Sequence, residues 1–435
     1  METHFSKEQL KNKDNKSSEK ILRKCVHCGF CNATCPTYKL LGDELDGPRG
    51  RIYLIKDMLE NNKPANEKIV KHIDRCLSCY SCITTCPSGV NYMHLIDHAR
   101  YHIEKTYKRP FRERILRNFL SFTFSKATNF RIITILSRFL KPFTFLFPKK
   151  FKNMLRLVPI KFPNSTIPKL KVYPVKNKKK PIARVALLTG CVQKVISPQI
   201  NESTIRLLNR HGVEVVVSKG IDCCGSLDHH LGKNNLAKKN FKKNILIWHE
   251  EYLKNGLDAI ISNTSGCGTT LKDYGFIFRS DEDLKKKAKK ISELTKDITE
   301  YLDEKINLKF IKAIPNEKKY KIAYHSACSM QHAQKIHKEP INLIKKTGNE
   351  VIEIPDGHIC CGSAGTYNLL QTNIATNLLK DKLSNINKVK PQIISTGNIG
   401  CITQLAQGTN IPILHTVEII DWYTGGPKPE VLKGI

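Results

Sequence analysis

Two copies of one cysteine string constrain this chain more than anything else in it: CVHCGFCNATCP, with Cys25, Cys28, Cys31, Cys35 and Pro36, and CLSCYSCITTCP, with Cys76, Cys79, Cys82, Cys86 and Pro87. Thiolates at i, i+3 and i+6 can wrap one face of an iron–sulfur cube from a single tight turn, while the fourth, followed by Pro, opens the next segment. In two-cluster modules of this spacing the fourth Cys ligates the other cluster. The expected sets are therefore Cys25, Cys28, Cys31 and Cys86 on one [4Fe–4S] centre, and Cys76, Cys79, Cys82 and Cys35 on the second. Zinc motifs pair CxxC units and do not run CxxCxxCxxxCP.

At 435 residues there is room for two or three domains, each with its own core. Sixteen cysteines would read as disulfides in a small secreted protein, but here they stand in metal-ligand spacings, and the first twenty residues are polar with no signal-peptide pattern. A reducing, cytoplasmic compartment is expected. Lys and Arg number 72 against 39 Asp and Glu, a formal net charge of +33. The excess is diffuse, it accompanies a general richness in Lys, Asn and Ile that genome base composition would explain, and no common nucleic-acid motif goes with it. No nucleic-acid partner is expected.

Between the cysteine strings, Ile52, Leu54, Ile55, Met58 and Leu59 recur at helical spacing, so the module is helical and differs from compact β-rich ferredoxins. Asp46, Gly47 and Pro48 read as a turn before that helix. Arg49 and Arg51 enter it either as charges that tune an anionic cluster or dock a partner, or as a solvated helix start.

Residues 108–156 hold thirteen Lys and Arg against one acid, Glu113, and ten of the chain's seventeen Phe. Ile115, Leu116, Phe119, Leu120 and Phe122 share one helical face, with Arg112, Arg114 and Arg117 on the other sides, the pattern of a helix lying in a lipid interface or packed on a neighbour. Arg131, Arg138 and Lys141 cut the apolar stretches well short of the roughly 20 residues a membrane span needs. A Pro-rich linker follows over 161–181.

The second half repeats itself. RVALLTGC, ending in Cys191, precedes Cys223-Cys224-Gly225 and then SNTSGCG with Cys267; KIAYHSAC, ending in Cys328, precedes Cys360-Cys361-Gly362 and then STGNIGC with Cys401. The offsets are 137, 137 and 134 residues. In each unit an apolar strand, a helix (Ile205, Leu207 and Leu208; Ile341, Leu343 and Ile344), a second strand, a further helix and a third strand alternate, which predicts parallel α/β layers with the cysteines on loops at one end of the sheet. Four convergent thiolates per repeat suffice for a cluster; a thiol/disulfide pair and plain buried cysteines are the alternatives. His230, His325 and His332 lie nearby in sequence as ligands, proton donors or satisfied polar residues.

With these motifs in hand, the chain resembles the iron–sulfur subunits of flavin-dependent 2-hydroxyacid and glycerol-3-phosphate dehydrogenases, with heterodisulfide reductase subunits as more distant relatives. The strings LRKCVHCGFCNATCPTYKLLGDELDGPRGRIYLIK, DRCLSCYSCITTCPSGV, CCGSLDHHL, SGCG, QHAQK, CCGSAGTYNLL and NIGC look closest to the glycolate oxidase (glycolate dehydrogenase) iron–sulfur subunits, over about residues 20 to 420. One departure stands out. Where the fuller pattern of heterodisulfide reductases ends in CxxC, Thr264 and Asn398 occupy the upstream position, which leaves four cysteines per repeat.

The resemblance implies a multidomain fold: an N-terminal all-α helical ferredoxin with two [4Fe–4S] clusters, then duplicated α/β cysteine-rich (CCG) domains, which hold a third cluster or none. Boundaries are expected at 1–20 (polar extension), 21–107 (dicluster ferredoxin), 108–183 (basic segment and linker), 184–310 and 319–425 (the two CCG domains). It implies FAD-binding glycolate oxidase subunits as partners, electron delivery to a quinone or another respiratory acceptor, and a peripheral place on the inner face of the cell membrane. With no G-x-G-x-x-G fingerprint, neither flavin nor NAD is expected in this chain, which would not oxidise substrate alone. The alternatives are the corresponding subunit of a D-lactate, glycerol-3-phosphate or heterodisulfide-reductase-like system and, more remotely, a basic iron–sulfur nucleic-acid-binding protein.

Overall fold

The chain is described here from a computed structural model, which covers residues 1–147, 152, 154–155, 158, 163, 171–175, 180–311 and 319–433. Most of the expected Pro-rich linker lies outside the described residues.

The N-terminal module is helical, as expected. Helices Lys13–Arg23, Pro48–Glu60, Glu67–Asp74 and Tyr92–Thr106 pack around Leu22, Ile52, Ile55, Met58, Ile73, Leu95 and Ile96. Helix Pro48–Glu60 begins where Pro takes its first position, with the φ a helix start needs and no amide to waste. The residues before it form a short 3₁₀ turn, Glu44–Asp46, which buries Asp46 completely. Its carboxylate accepts from Arg75 (2.7 Å) and His72 (2.9 Å), with Arg51 at 3.5 Å.

Two parallel sheets follow. In the first, β1 (Val172–Tyr173), β2 (Ala183–Leu188), β3 (Val213–Val216), β4 (Ala259–Ser262) and β5 (Thr295–Asp297) lie in the order β1-β3-β2-β4-β5, with β1 antiparallel to β3 and the rest parallel. In the second, β6 (Lys321–Tyr324), β7 (Glu350–Glu353), β8 (Ile393–Thr396) and β9 (Ile413–His415) run parallel in the order β7-β6-β8-β9. The three strands expected per repeat are all present, central in the first sheet and with β7 on an edge of the second; β5 and β9, one short strand on a far edge of each sheet, were not expected. Both stop after three residues at an acid or histidine that caps the next helix, Asp297 and His415.

Helices Phe111–Ser125 and Ala127–Leu140 form a hairpin over the junction of all three parts. Arg117, expected off the apolar face beside Arg112 and Arg114, does not share their exposure. Arg117 is buried and paired with Asp74 (2.6 Å) and Glu113 (2.8 Å), because the carboxylate at the end of helix Glu67–Asp74 gives the guanidinium a partner inside the fold. Leu120 and Ser121 turn inward with it, and Ser121 donates to Asp228 of the first repeat at 2.5 Å. Phe111, Ile115 and Phe122 remain exposed, as do Ile132, Leu136 and Phe139 on the second helix. Among the described residues no helix is long and apolar enough to cross a membrane.

Candidate metal centres

Each CxxCxxC loop folds tightly because its backbone twice enters the left-handed region, at His27 (56°) and Gly29 (85°) in the first and at Ser78 (52°) and Tyr80 (62°) in the second. The three thiols of a loop are thereby turned to one side. Cys25, Cys28, Cys31 and Cys86 line one cavity together with Arg49 and Ile52. Cys35, Cys76, Cys79 and Cys82 line another, with Arg51, Tyr80 and Tyr92. Cys82 also reaches the first cavity, so the two sets adjoin.

These residues fit a cationic metal core. Burial pushes the Cys31 thiol up to about 12, reinforced by Cys25, Cys86 and Cys28, and burial drives Cys79 and Cys82 well above the usual thiol range. Packed thiols of this kind ionise together only against added positive charge, which bound iron supplies. The chain contributes more. Arg51, 1% exposed, points its guanidinium at Cys35 Sγ (3.9 Å) and bonds Thr37 Oγ1 (3.0 Å) and the His72 carbonyl (2.7 Å). Arg49 differs: it is partly exposed, bonds Glu44 at 2.7 Å and lies beside the first centre. Tyr92 O–H points at Cys76 Sγ (3.9 Å), and Arg100 bonds the Cys76 carbonyl (2.7 Å) and Ser78 (2.7 Å). Arg100 and Tyr92 come from helix Tyr92–Thr106, beyond the cysteine strings, and nothing in the local pattern singles them out.

The eight later cysteines form two more thiol strings. In the first repeat Cys191 donates to Cys223, Cys224 follows, and Cys224 and Cys267 stand 3.1 Å apart. Thiol hydrogen bonds from Cys191 and then Cys224 hold Cys223 well below the usual range. In the second, Cys328 and Cys360 are 3.8 Å apart, and the string continues through Cys361 to Cys401. The Cys-Cys-Gly turns depend on their glycines. Gly225 (φ 81°) and Gly362 (φ 89°) are left-handed, and an added Cβ would sit 2.5 Å from Phe241 or 2.6 Å from the Ala375 carbonyl. Both amides point back at a thiol, Gly225 to Cys223 Sγ (3.3 Å) and Gly362 to Cys360 Sγ (3.4 Å).

Both strings face one cavity of about 490 Å³, roofed by Leu120, Phe124, Phe130 and Ile133 of the helical hairpin and reached by Cys76 and Tyr80 of the second ferredoxin loop. Cys79 packs in one apolar cluster with Cys360 and Tyr367, and Cys328 borders it. The three histidines near these cysteines divide. His230 bonds Asp97 (3.0 Å) and His332 bonds Thr84 (2.8 Å), each tying a repeat to the ferredoxin module. Among the described residues, His325 has no hydrogen-bond partner at either ring nitrogen.

Helical twin-loop module and duplicated cysteine-rich sheets together define an iron–sulfur electron-transfer subunit. A 4Fe–4S dicluster domain model matches residues 21–90, and a cysteine-rich (CCG) domain model matches 185–272 and 322–406. The glycolate oxidase iron–sulfur subunit of Escherichia coli (strain K12) is 40% identical over 97% of this chain and 98% of its own length. The probable glycolate oxidase iron–sulfur subunit of Bacillus subtilis (strain 168) is 28% identical over 94% of each. Lactate utilization protein A of the same organism, 23% identical, aligns with 55% of this chain and 99% of its own. The chain belongs to the glycolate oxidase iron–sulfur subunit family.

Proposed function

We propose that this chain carries electrons in a glycolate-oxidising complex, receiving them from flavin-bearing partner subunits that convert glycolate to glyoxylate and passing them toward a quinone or another acceptor. Cys25, Cys28, Cys31 and Cys86 hold one [4Fe–4S] cluster, Cys76, Cys79, Cys82 and Cys35 the other, and the thiol strings of the repeats hold at least one further cluster. Bound there, the clusters supply one-electron storage and transfer. The observation that carries this reading is the convergence of eight cysteines from two distant loops into two adjoining sets with their fourth members exchanged.

The chain's own residues set the conditions. Burial of Cys76, Cys79 and Cys82 keeps water from the second set, and Arg51 offsets its thiolate charge. Cys28 is exposed, flanked by Val26 (66% exposed) and Phe30 (63%), so the first set faces the partner side. The packing of Cys79 with Cys360 puts the second set next to the second repeat. Full-length likeness to glycolate oxidase subunits, against a match to just over half of this chain for the lactate utilization proteins, favours glycolate over lactate. The outer face of the hairpin, apolar and rimmed by Arg112, Arg114, Arg131 and Arg138, suits a peripheral place on an anionic membrane.

The test is iron and acid-labile sulfide per chain after anaerobic purification, with mass spectrometry of co-purifying proteins. About twelve or more irons and a flavoprotein that oxidises glycolate are expected. Zinc without sulfide, and no flavoprotein, overturns the reading.

A further inference from the structure

The two repeats do not present the same donors. Three residues before the leading cysteine, the first repeat has Leu188, the last residue of β2, and the second has His325, directly after β6. Both are 2% exposed. Leu188 belongs to an apolar layer with Ala186, Ile260 and Leu271. His325 occupies the matching place with an imidazole whose Nδ1 and Nε2 both lack hydrogen-bond partners among the described residues. A buried polar atom left unpaired costs about 1–3 kcal/mol, so this position is expensive unless something binds there.

What lies within reach is thiol. A ring nitrogen of His325, Cys361 Sγ and Cys401 Sγ all fall within 4.8 Å of one another, and all three residues are buried. Two sulfurs and an imidazole nitrogen converging on one point are donor types that iron–sulfur centres take. The surroundings suit thiolates. Asn398 Nδ2 points at Cys401 Sγ (3.3 Å), and the buried Lys382 ammonium, held on the carbonyls of Asp356 (2.9 Å) and Gly357 (3.3 Å), adds positive charge beside Cys361 and Cys360.

We infer that His325 is a nitrogen ligand, with Cys361 and Cys401, to an iron–sulfur centre in the second repeat, whereas the first repeat offers thiols alone. The inference rests on the reading that the second repeat binds a cluster. A neutral imidazole in place of an anionic thiolate raises a cluster's potential. The second repeat, adjoining Cys79, is then the favoured resting place for electrons leaving the ferredoxin module, and the histidine gives the path a direction.

Pulsed EPR on the reduced full-length protein tests this through ¹⁴N coupling, alongside iron counts and redox titration. The wild type is expected to show coupling from a directly bound imidazole. His325→Cys is expected to keep its iron, lose that coupling and shift one midpoint to more negative potential. Should His325→Cys not fold, His325→Leu, which copies Leu188 of the first repeat, is expected to fold and lose the coupling. Coupling absent from the wild type, or surviving in either variant, overturns the histidine assignment. The underlying reading fails separately: if Cys361→Ser with Cys401→Ser leaves iron and sulfide unchanged, the second repeat binds no cluster, and both fall.

Discussion

Thr34 and Thr85 face each other with hydroxyls 3.0 Å apart. Each directly precedes the fourth cysteine of its string, Cys35 and Cys86. This contact brings the ends of the short helices Phe30–Ala33 and Ser81–Thr85 together, so each fourth thiol is handed to the opposite loop.

That exchange separates two variants. Cys86→Ser is expected to disturb the centre of Cys25, Cys28 and Cys31, and Cys35→Ser the centre of Cys76, Cys79 and Cys82. Each should cost up to about four irons per chain. EPR of the reduced proteins checks it: if the two lost signals follow sequence order instead, with Cys35→Ser affecting the first loop, the exchange is wrong.

Arg51 and Arg49 should part ways as well. Arg51→Met removes a buried cation beside Cys35 and unbalances Asp46, so a loss of about 3 kcal/mol and a more negative midpoint for one cluster are expected. Arg51→Lys should restore part of the potential. Arg49→Gln, at a screened site, should change stability by less than about 1 kcal/mol. Denaturant unfolding and redox titration read both.

Gly225→Ala and Gly362→Ala each force a side chain into a left-handed turn and into contact with Phe241 or the Ala375 carbonyl. A destabilisation of about 3 kcal/mol is expected for each, combining the backbone cost with overpacking. Thermal or chemical unfolding of the purified variants checks it, and wild-type stability in either would contradict the turn geometry.

Glu418 offers a pH test away from the metal sites. Burial raises its carboxyl from 4.5 to about 7, although it accepts from the His415 amide at 2.9 Å. An acid with a raised folded pKa contributes stability that is complete below the unfolded value and lost as pH climbs through the folded one. Glu418→Gln keeps the capping bond without the titration. Its stability relative to wild type should rise between pH 4.5 and 7, by about 3 kcal/mol in all. A difference independent of pH across that window would refute the shift.

For the hairpin, Phe122→Ser with Phe139→Ser removes two exposed rings from its outer face. Sedimentation with anionic vesicles should fall at least about tenfold, given about 1.5–3 kcal/mol per buried Phe. Unchanged sedimentation would assign that face to a protein neighbour.

Much of this was legible in the chain. The spacing of Cys25, Cys28 and Cys31 encodes a turn, the alternation around Cys191 and Cys328 encodes strands and helices, and Ile52, Ile55, Met58 and Leu59 mark a buried helical face that the structure buries as expected. Less was legible where charge met burial. Arg117 read as equivalent to Arg112 and Arg114, and Arg51 to Arg49, because sequence periodicity records polarity but not the carboxylate that waits in another element: Asp74 for Arg117, Asp46 for Arg51. The edge strands β5 and β9 escaped because three residues are too few to show a period.

By itself, then, the sequence determined the local shapes: two cluster-binding turns, a helical module, a duplicated parallel α/β unit and the glycines its cysteine turns require. These depend on neighbours a few residues apart and on backbone sterics, which the order of residues already contains. Only the tertiary structure decided which arginine is buried beside sulfur, that both thiol strings open on one cavity, and that a ring nitrogen of His325 stands beside Cys361 and Cys401. Those relations join residues far apart in the chain, and they are set by the packing of whole helices and sheets, where burial turns an ordinary side chain into a partner or a ligand.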